Sequence, residues 1–207
     1  MVRKSQSRSD PPDYEPSAEA SIAAHAVRVG RAPDEVAYDM LLENDGHAFL
    51  YRPLNNYAYG NLDAVHDMIT HDDTLISLGD GGAHVGVLSD ASATTYLLTH
   101  WTRDRSVGER LPIEWAIKRL SQDNAMAIGL RDRGRLAVGL KADANIIDYD
   151  GLSLKKPEVV YDLPSGGRRI IQRTSGYDAT FVAGEPVYLN GEPTAHLPGR
   201  LVRGERR

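Results

Sequence analysis

Thr74-Leu75-Ile76-Ser77-Leu78-Gly79-Asp80-Gly81-Gly82-Ala83-His84 is the stretch on which the reading of the fold turns. Thr74 to Leu78 is a short apolar run. Turn residues flank it on both sides, His71-Asp72-Asp73 before and Gly79-Asp80-Gly81-Gly82 after. A run of this length without alternation suits a strand covered on both faces, as strands of parallel sheets are. Upstream, Leu62, Val65 and Ile69 align on a helix from Leu62 to about Thr70, and His47 to Tyr51 reads as a short strand. Before that, Pro33 opens a helix whose apolar side is Val36, Met40 and Leu41 and which Asn44-Asp45-Gly46 ends. A first helix runs from Ala18 to Val29, with Ser17 as N-cap, Ile22, Ala26 and Val29 on one face, and Gly30 as its stop.

Helix, strand, helix, strand is the pattern of a parallel α/β sheet or barrel. In such a barrel the chemistry sits on loops at the C-terminal ends of the strands. Asp80 lies two residues past the end of its strand and is the leading candidate for chemistry. Asp-Gly is also common turn chemistry, so a plain turn is the alternative. Gly81-Gly82 has neither glycine-rich phosphate-loop spacing. His84, four residues beyond Asp80, either lines the same pocket or makes a structural hydrogen bond. Tyr57 and Tyr59 follow the 47–51 strand on the expected active-site face, where they contact substrate or simply pack. His71 precedes its strand, on the face that serves stability.

Downstream the pattern changes. Leu111 to Leu120 is amphipathic, with Ile113, Ala116, Ile117 and Leu120 on one side. Ser121 or Asn124 caps a further short helix that stops at Gly129. From Arg133 onward the pattern is β. Candidate strands are Ala142 to Tyr149 and Arg168 to Gln172, followed by a hairpin of Ala179–Val182 and Pro186–Leu189 around Gly184-Glu185. Asn190-Gly191 makes a second turn. His100-Trp101 reads as a packing pair and Arg168-Arg169 as a solvated one. Residues 1–16 are polar, carry Pro11, Pro12 and Pro16, and are expected to be extended or disordered.

Of the 207 residues 41% are hydrophobic and 26% charged, a globular balance. The net charge of -5 argues against nucleic-acid binding, which needs a basic surface. There are no cysteines, which excludes disulfides and cysteine metal ligands. No apolar run approaches the roughly 18 residues of a membrane span, and no apolar segment follows the charged start as in a secretory signal. A cytoplasmic protein without membrane or nucleic-acid partners is expected.

Three stretches together resemble one family. They are Ser77-Leu78-Gly79-Asp80-Gly81-Gly82-Ala83-His84, then Gly129-Leu130-Arg131-Asp132-Arg133-Gly134-Arg135-Leu136 onward to Ala142-Asp143-Ala144, and Asp162-Leu163-Pro164-Ser165-Gly166-Gly167-Arg168-Arg169 with the closing Leu197-Pro198-Gly199-Arg200. Each resembles the C-terminal part of the amidohydrolase superfamily, in particular its N-acyl-D-amino-acid deacylase (D-aminoacylase) branch. The resemblance implies an α/β fold in which residues 17–130 form the last units of a (β/α) barrel and residues 131–207 belong to a small, mostly β domain. It implies hydrolysis of the non-peptide amide C–N bond of an N-acyl (D-)amino acid by water activated on a divalent metal, usually zinc. By that resemblance Asp80 is both a metal ligand and the group that takes the water's proton and returns it to the leaving amine. The family's other ligands include a His-x-His pair, and none of the seven histidines forms one. Two readings therefore stand. One is a hydrolase. The other is a catalytically incomplete fragment or interaction module, which self-associates or assembles with a chain carrying the missing barrel half.

Overall fold

Ser21 and Gly30 bracket the first full helix for reasons visible in their backbone. Ser21 has extended φ/ψ and its Oγ accepts from the Ala24 amide at 3.2 Å, while Gly30 takes the left-handed conformation that ends a helix, φ 66°. The computed structural model describes residues 10–53, 55–76, 84–88 and 90–203, together with the backbone of Ser5 and Gln6. The described chain divides into two compact units, Met1–Thr74 and Leu75–Arg207.

In the first unit, helix α1 (Ile22–Val29) packs against helix α2 (Pro33–Gly46). Pro33 sits at the first helical position and Asp34 and Glu35 follow it, so both the missing amide and the macrodipole favour a start there. Ile22, Ala26, Val36 and Met40 form the core between the helices, each large side chain contributing about 1.5–3 kcal/mol by burial. Val29 and Leu41 are substantially exposed, so the apolar faces read from the sequence are narrower in the fold. Asn44 and Asp45 adopt positive φ and break the end of α2, as their turn chemistry anticipates. Strand β1 (Ser5–Gln6) pairs antiparallel with strand β2 (Leu50–Tyr51), and helix α3 (Asp63–Thr70) follows. A buried Glu15 accepts from the Leu62 amide at 2.7 Å, which fixes the entry to α3.

The second unit starts with residues 75 and 76, which form no strand. Helix α4 (Ala93–Tyr96) runs on into a wider π-type stretch, Leu97–Asp104. This helix was not legible in the sequence, because Thr94, Thr95, Thr99 and Thr102 are poor helix formers. Burial overrides that preference, with Leu97, Leu98 and Trp101 in the core. Thr99 and Thr102 also satisfy their hydroxyls on the carbonyls four residues back. Helix α5 (Ile113–Lys118) continues through a π-type stretch (Arg119–Asp123) into α6 (Asn124–Ala127). Ser121 and Asn124 thus lie inside one continuous helix and cap nothing. The expected stop at Gly129 is present, φ 78°.

Strands β3 (Ala144–Ile147), β6 (Tyr177–Val182), β7 (Glu185–Leu189) and β8 (Glu192–Pro193) form an antiparallel sheet in the order β3-β6-β7-β8. Ala183-Gly184 and Asn190-Gly191 each place two consecutive residues at positive φ, as tight hairpins require. Strands β4 (Ser153–Leu163) and β5 (Gly167–Ser175) form a separate long hairpin. Pro157 hid β4 from the sequence reading, yet an edge position tolerates a residue without an amide. Every strand pairing among the described residues is antiparallel, so the parallel sheet expected from the first half is not seen there. The described fold mixes α and β elements without a closed barrel. Among the described residues no helix is long and apolar enough to cross a membrane.

Gly176, with φ 95°, joins β5 to β6 where an added Cβ would lie 2.6 Å from the Leu152 Cα. The obstacle is backbone and cannot swing away. Gly176→Ala should therefore destabilise the second unit by about 2–4 kcal/mol, from the strained φ together with the overpacking. Urea unfolding of the variant beside wild type checks this, and an unchanged midpoint would contradict it.

Candidate functional site

Asp80 and the glycines around it lie outside the described residues, as do Ser77 and Leu78 of the expected strand. The described chain resumes at His84, which is exposed and adopts a left-handed backbone, φ 57°. Such a φ is uncommon for a residue with a side chain, although histidine visits it more readily than most. The His84 carbonyl accepts from the amides of Val87 at 2.8 Å and Leu88 at 3.0 Å, which closes a tight turn just after the Asp80 run. Val85 then accepts from the Ile170 amide at 2.7 Å, which anchors this segment to β5.

Tyr57 and Tyr59 belong to the first unit, where they share one turn closed by the Gly60 amide on the Tyr57 carbonyl at 3.2 Å. The Tyr57 hydroxyl donates to the Pro16 carbonyl at 2.7 Å, so its polar end is already held by structure. Tyr59 is 85% exposed and its ring is open to a ligand. His100 stacks on Tyr96 with centroids 4.5 Å apart and meets Trp101 edge to face at 5.4 Å, a packing arrangement. Beneath them the buried Arg105 guanidinium lies 4.7 Å from the Trp101 ring and donates to the Glu109 carbonyl. Arg168 is exposed, while Arg169 forms two parallel hydrogen bonds with Asp162, both 2.7 Å, across the β4–β5 turn. The Asp162-Leu163-Pro164-Ser165-Gly166-Gly167-Arg168-Arg169 run is thus a hairpin turn clamped by its own ends.

Sequence reasoning did not find the cleft beside this hairpin. It has a volume of about 230 Å³ and lies between residues 85–95 and β5. Its apolar walls are Val85, Leu88 and Ala91 on one side and Ile170 and Ile171 on the other. Ser92 donates to Gln172 Oε1 at 2.5 Å, and Thr95 shares a hydrogen bond with the Tyr177 hydroxyl at 2.8 Å, so two side-chain bridges hold helix and strands together. Only pairing between segments far apart in sequence creates this cleft, and no local pattern marks it.

Among the described residues no group of three or more His, Cys, Asp or Glu side chains is arranged to hold a metal ion. Asp80, the metal ligand that the resemblance places in this chain, lies outside those residues.

Residues 17–188 match the amidohydrolase family. Over 109 residues the chain is 31% identical to an N-acyl-D-glutamate deacylase of Alcaligenes xylosoxydans xylosoxydans, covering 53% of this chain and 20% of that protein. Over 123 residues it is 32% identical to an allantoinase of Deinococcus radiodurans, covering 57% of this chain and 25% of that protein. The chain thus spans a fifth to a quarter of the length of these curated relatives. No solved structure matches.

The Arg169 guanidinium, by hydrogen bonding and then by charge, holds the Asp162 carboxyl below its ordinary value of 3.8. A depressed carboxylate stabilises the fold fully above the unfolded pKa and loses that contribution as pH falls through the folded one. Wild type and Asp162→Asn should therefore differ in melting temperature at neutral pH and converge in strong acid. Melts across that range check this, and a constant difference would contradict it.

Proposed function

We propose, from the premise that this chain belongs to the amidohydrolase family, that it serves the hydrolysis of the amide C–N bond in an N-acyl amino acid, with Asp80 as its proton-transfer group. The observation that carries the reading is the Asp80-Gly81-Gly82-Ala83-His84 run, which falls inside the family match and leads directly into the His84 turn. The deacylase relative supports an acylated amino acid as the substrate class. On this reading residues 17–130 are barrel units and residues 131–207 the β domain.

The chemistry asks one short, ionised group to act twice. As water adds to the amide carbon, the Asp80 carboxylate accepts its proton. As the C–N bond breaks, the same proton passes to the departing nitrogen, so acid and amine leave with atoms balanced. An aspartate suits this because its side chain is ionised at neutral pH and too short to wander. The neighbouring glycines allow close approach of substrate to backbone. His84 is a proposed substrate contact.

A second reading starts from the short span of the match, a fifth to a quarter of the curated relatives' length. In it, Asp80 is one part of a divided site whose remaining ligands come from a polypeptide carrying the rest of the barrel. Release of free amino acid from N-acyl-D-glutamate, followed chromatographically, separates the two readings. Turnover by the chain alone supports the first. Turnover only after addition of that polypeptide supports the second. In whichever preparation is active, Asp80→Asn should lower turnover by about 10²–10⁴-fold with an unchanged circular dichroism spectrum. Retained turnover would show that another group moves the proton. If the described residues hold no metal, a chelator should leave the melting temperature of the isolated chain unchanged. A clear drop in a calorimetric scan would refute that.

A further inference from the structure

We propose that the open edge of β4 is a self-association surface, on which a second copy of this chain pairs its own β4 antiparallel, centred on Val159. The inference is independent of the amide-hydrolysing reading, because it uses only the hairpin and its charges.

The edge follows from the backbone. Among the described residues β4 has one neighbouring strand, β5, so its other side faces no strand. Ile170 stands opposite Val159, and the Ile170 amide points away from β4 to the Val85 carbonyl. The two residues therefore form a pair that exchanges no hydrogen bonds, and Val159 likewise turns its amide and carbonyl outward. Pro157, two residues back, offers an outward carbonyl but no amide. Side chains along this edge are exposed, Tyr161 by 70% and Val159 by 38%. An exposed edge with apolar side chains is a template for another strand.

The charges select the occupant and its register. Antiparallel pairing of two identical strands about Val159 sets Pro157 against Tyr161, Glu158 against Val160 and Lys156 against Asp162, each twice. Asp162 lies on the Lys156 face, since its carboxylate reaches Arg169, which stands opposite Val160. Each Asp162 oxygen accepts one bond from Arg169 and keeps a lone pair for Lys156 of the second copy. The neighbouring registers fail on the same strand. Centring on Glu158 places that carboxylate against itself, and centring on Val160 places it against Asp162. Like charges directly opposite are destabilising. A parallel pairing in register would stack Lys156 on Lys156 and Asp162 on Asp162. Only the antiparallel pairing about Val159 opposes unlike charges, and its two-fold symmetry closes at a dimer.

Sedimentation of the full chain should show a monomer–dimer equilibrium at up to roughly 0.5 mM protein, a high concentration because one strand pair buries little area. Val159→Lys sets two ammonium groups together at the axis, and Lys156→Glu sets a carboxylate against Asp162. Each should weaken the dimer about tenfold or more in whichever variant keeps a wild-type circular dichroism spectrum. The chain has no cysteine, so a single introduced one reports the register. Val159→Cys should give a disulfide-linked dimer under mild oxidation, because the paired Cα atoms would lie about 5.5 Å apart. Glu158→Cys and Val160→Cys should cross-link far less. A chain that stays monomeric, a dimer indifferent to both charge substitutions, or preferential cross-linking by Glu158→Cys or Val160→Cys would overturn the proposal.

Discussion

The hydrogen bond from the Ile170 amide to the Val85 carbonyl, 2.7 Å long, is the constraint on which the rest of the second unit's candidate site depends. It ties the segment that emerges from the Asp80 run to the flank of a hairpin formed much later in the chain. Both partners are backbone groups of half-buried residues, and such a bond adds about 0.5–1.5 kcal/mol. With this bond in place, the His84 turn, the cleft and the start of helix α4 have fixed positions relative to β5. Ser92, just before α4, adds a side-chain bond to Gln172 of β5, and Thr95 within α4 adds one to Tyr177 of β6.

The hairpin must itself be rigid to serve as that anchor. Its turn is held by the Asp162–Arg169 pair, and its base is held where Gly176 passes against Leu152 with no room for a side chain. Arg103, near the end of the α4 helix, donates to the carbonyls of Tyr149, Asp150 and Leu152, which fixes the loop leading into β4. A guanidinium suits this task because its planar fork offers several donors to a curved run of carbonyls. The consequence is local order around the cleft between residues 85–95 and β5.

Much of this could be read from the residues, and what could not has physical reasons. Gly30, Pro33, Asn44-Asp45 and Asn190-Gly191 act through their own backbone preferences, so a single sequence reveals them. The N-cap of α1 is Ser21 and not Ser17, because Ala18–Ala20 forms a separate 3₁₀ turn first. The two long elements that escaped notice each contain residues that argue against them: the threonines of the 93–104 helix and Pro157 in β4. Their stability comes from burial and pairing, which only the folded chain supplies. An apolar run such as Thr74–Leu78 suits more than one environment, and residues 74–76 form no strand. Asp80 stood out by its resemblance to a family run, whereas the cleft stood out only once distant segments met.

The central claim is that Asp80 moves the proton in amide hydrolysis. Turnover of N-acyl-D-glutamate and of an acyl p-nitroanilide by Asp80→Asn, in whichever preparation is active, tests it directly. The account predicts a larger loss for the amino-acid substrate, whose basic amine leaves only with a proton, than for the anilide, whose weakly basic amine departs with less help. Equal losses, or none, would contradict it.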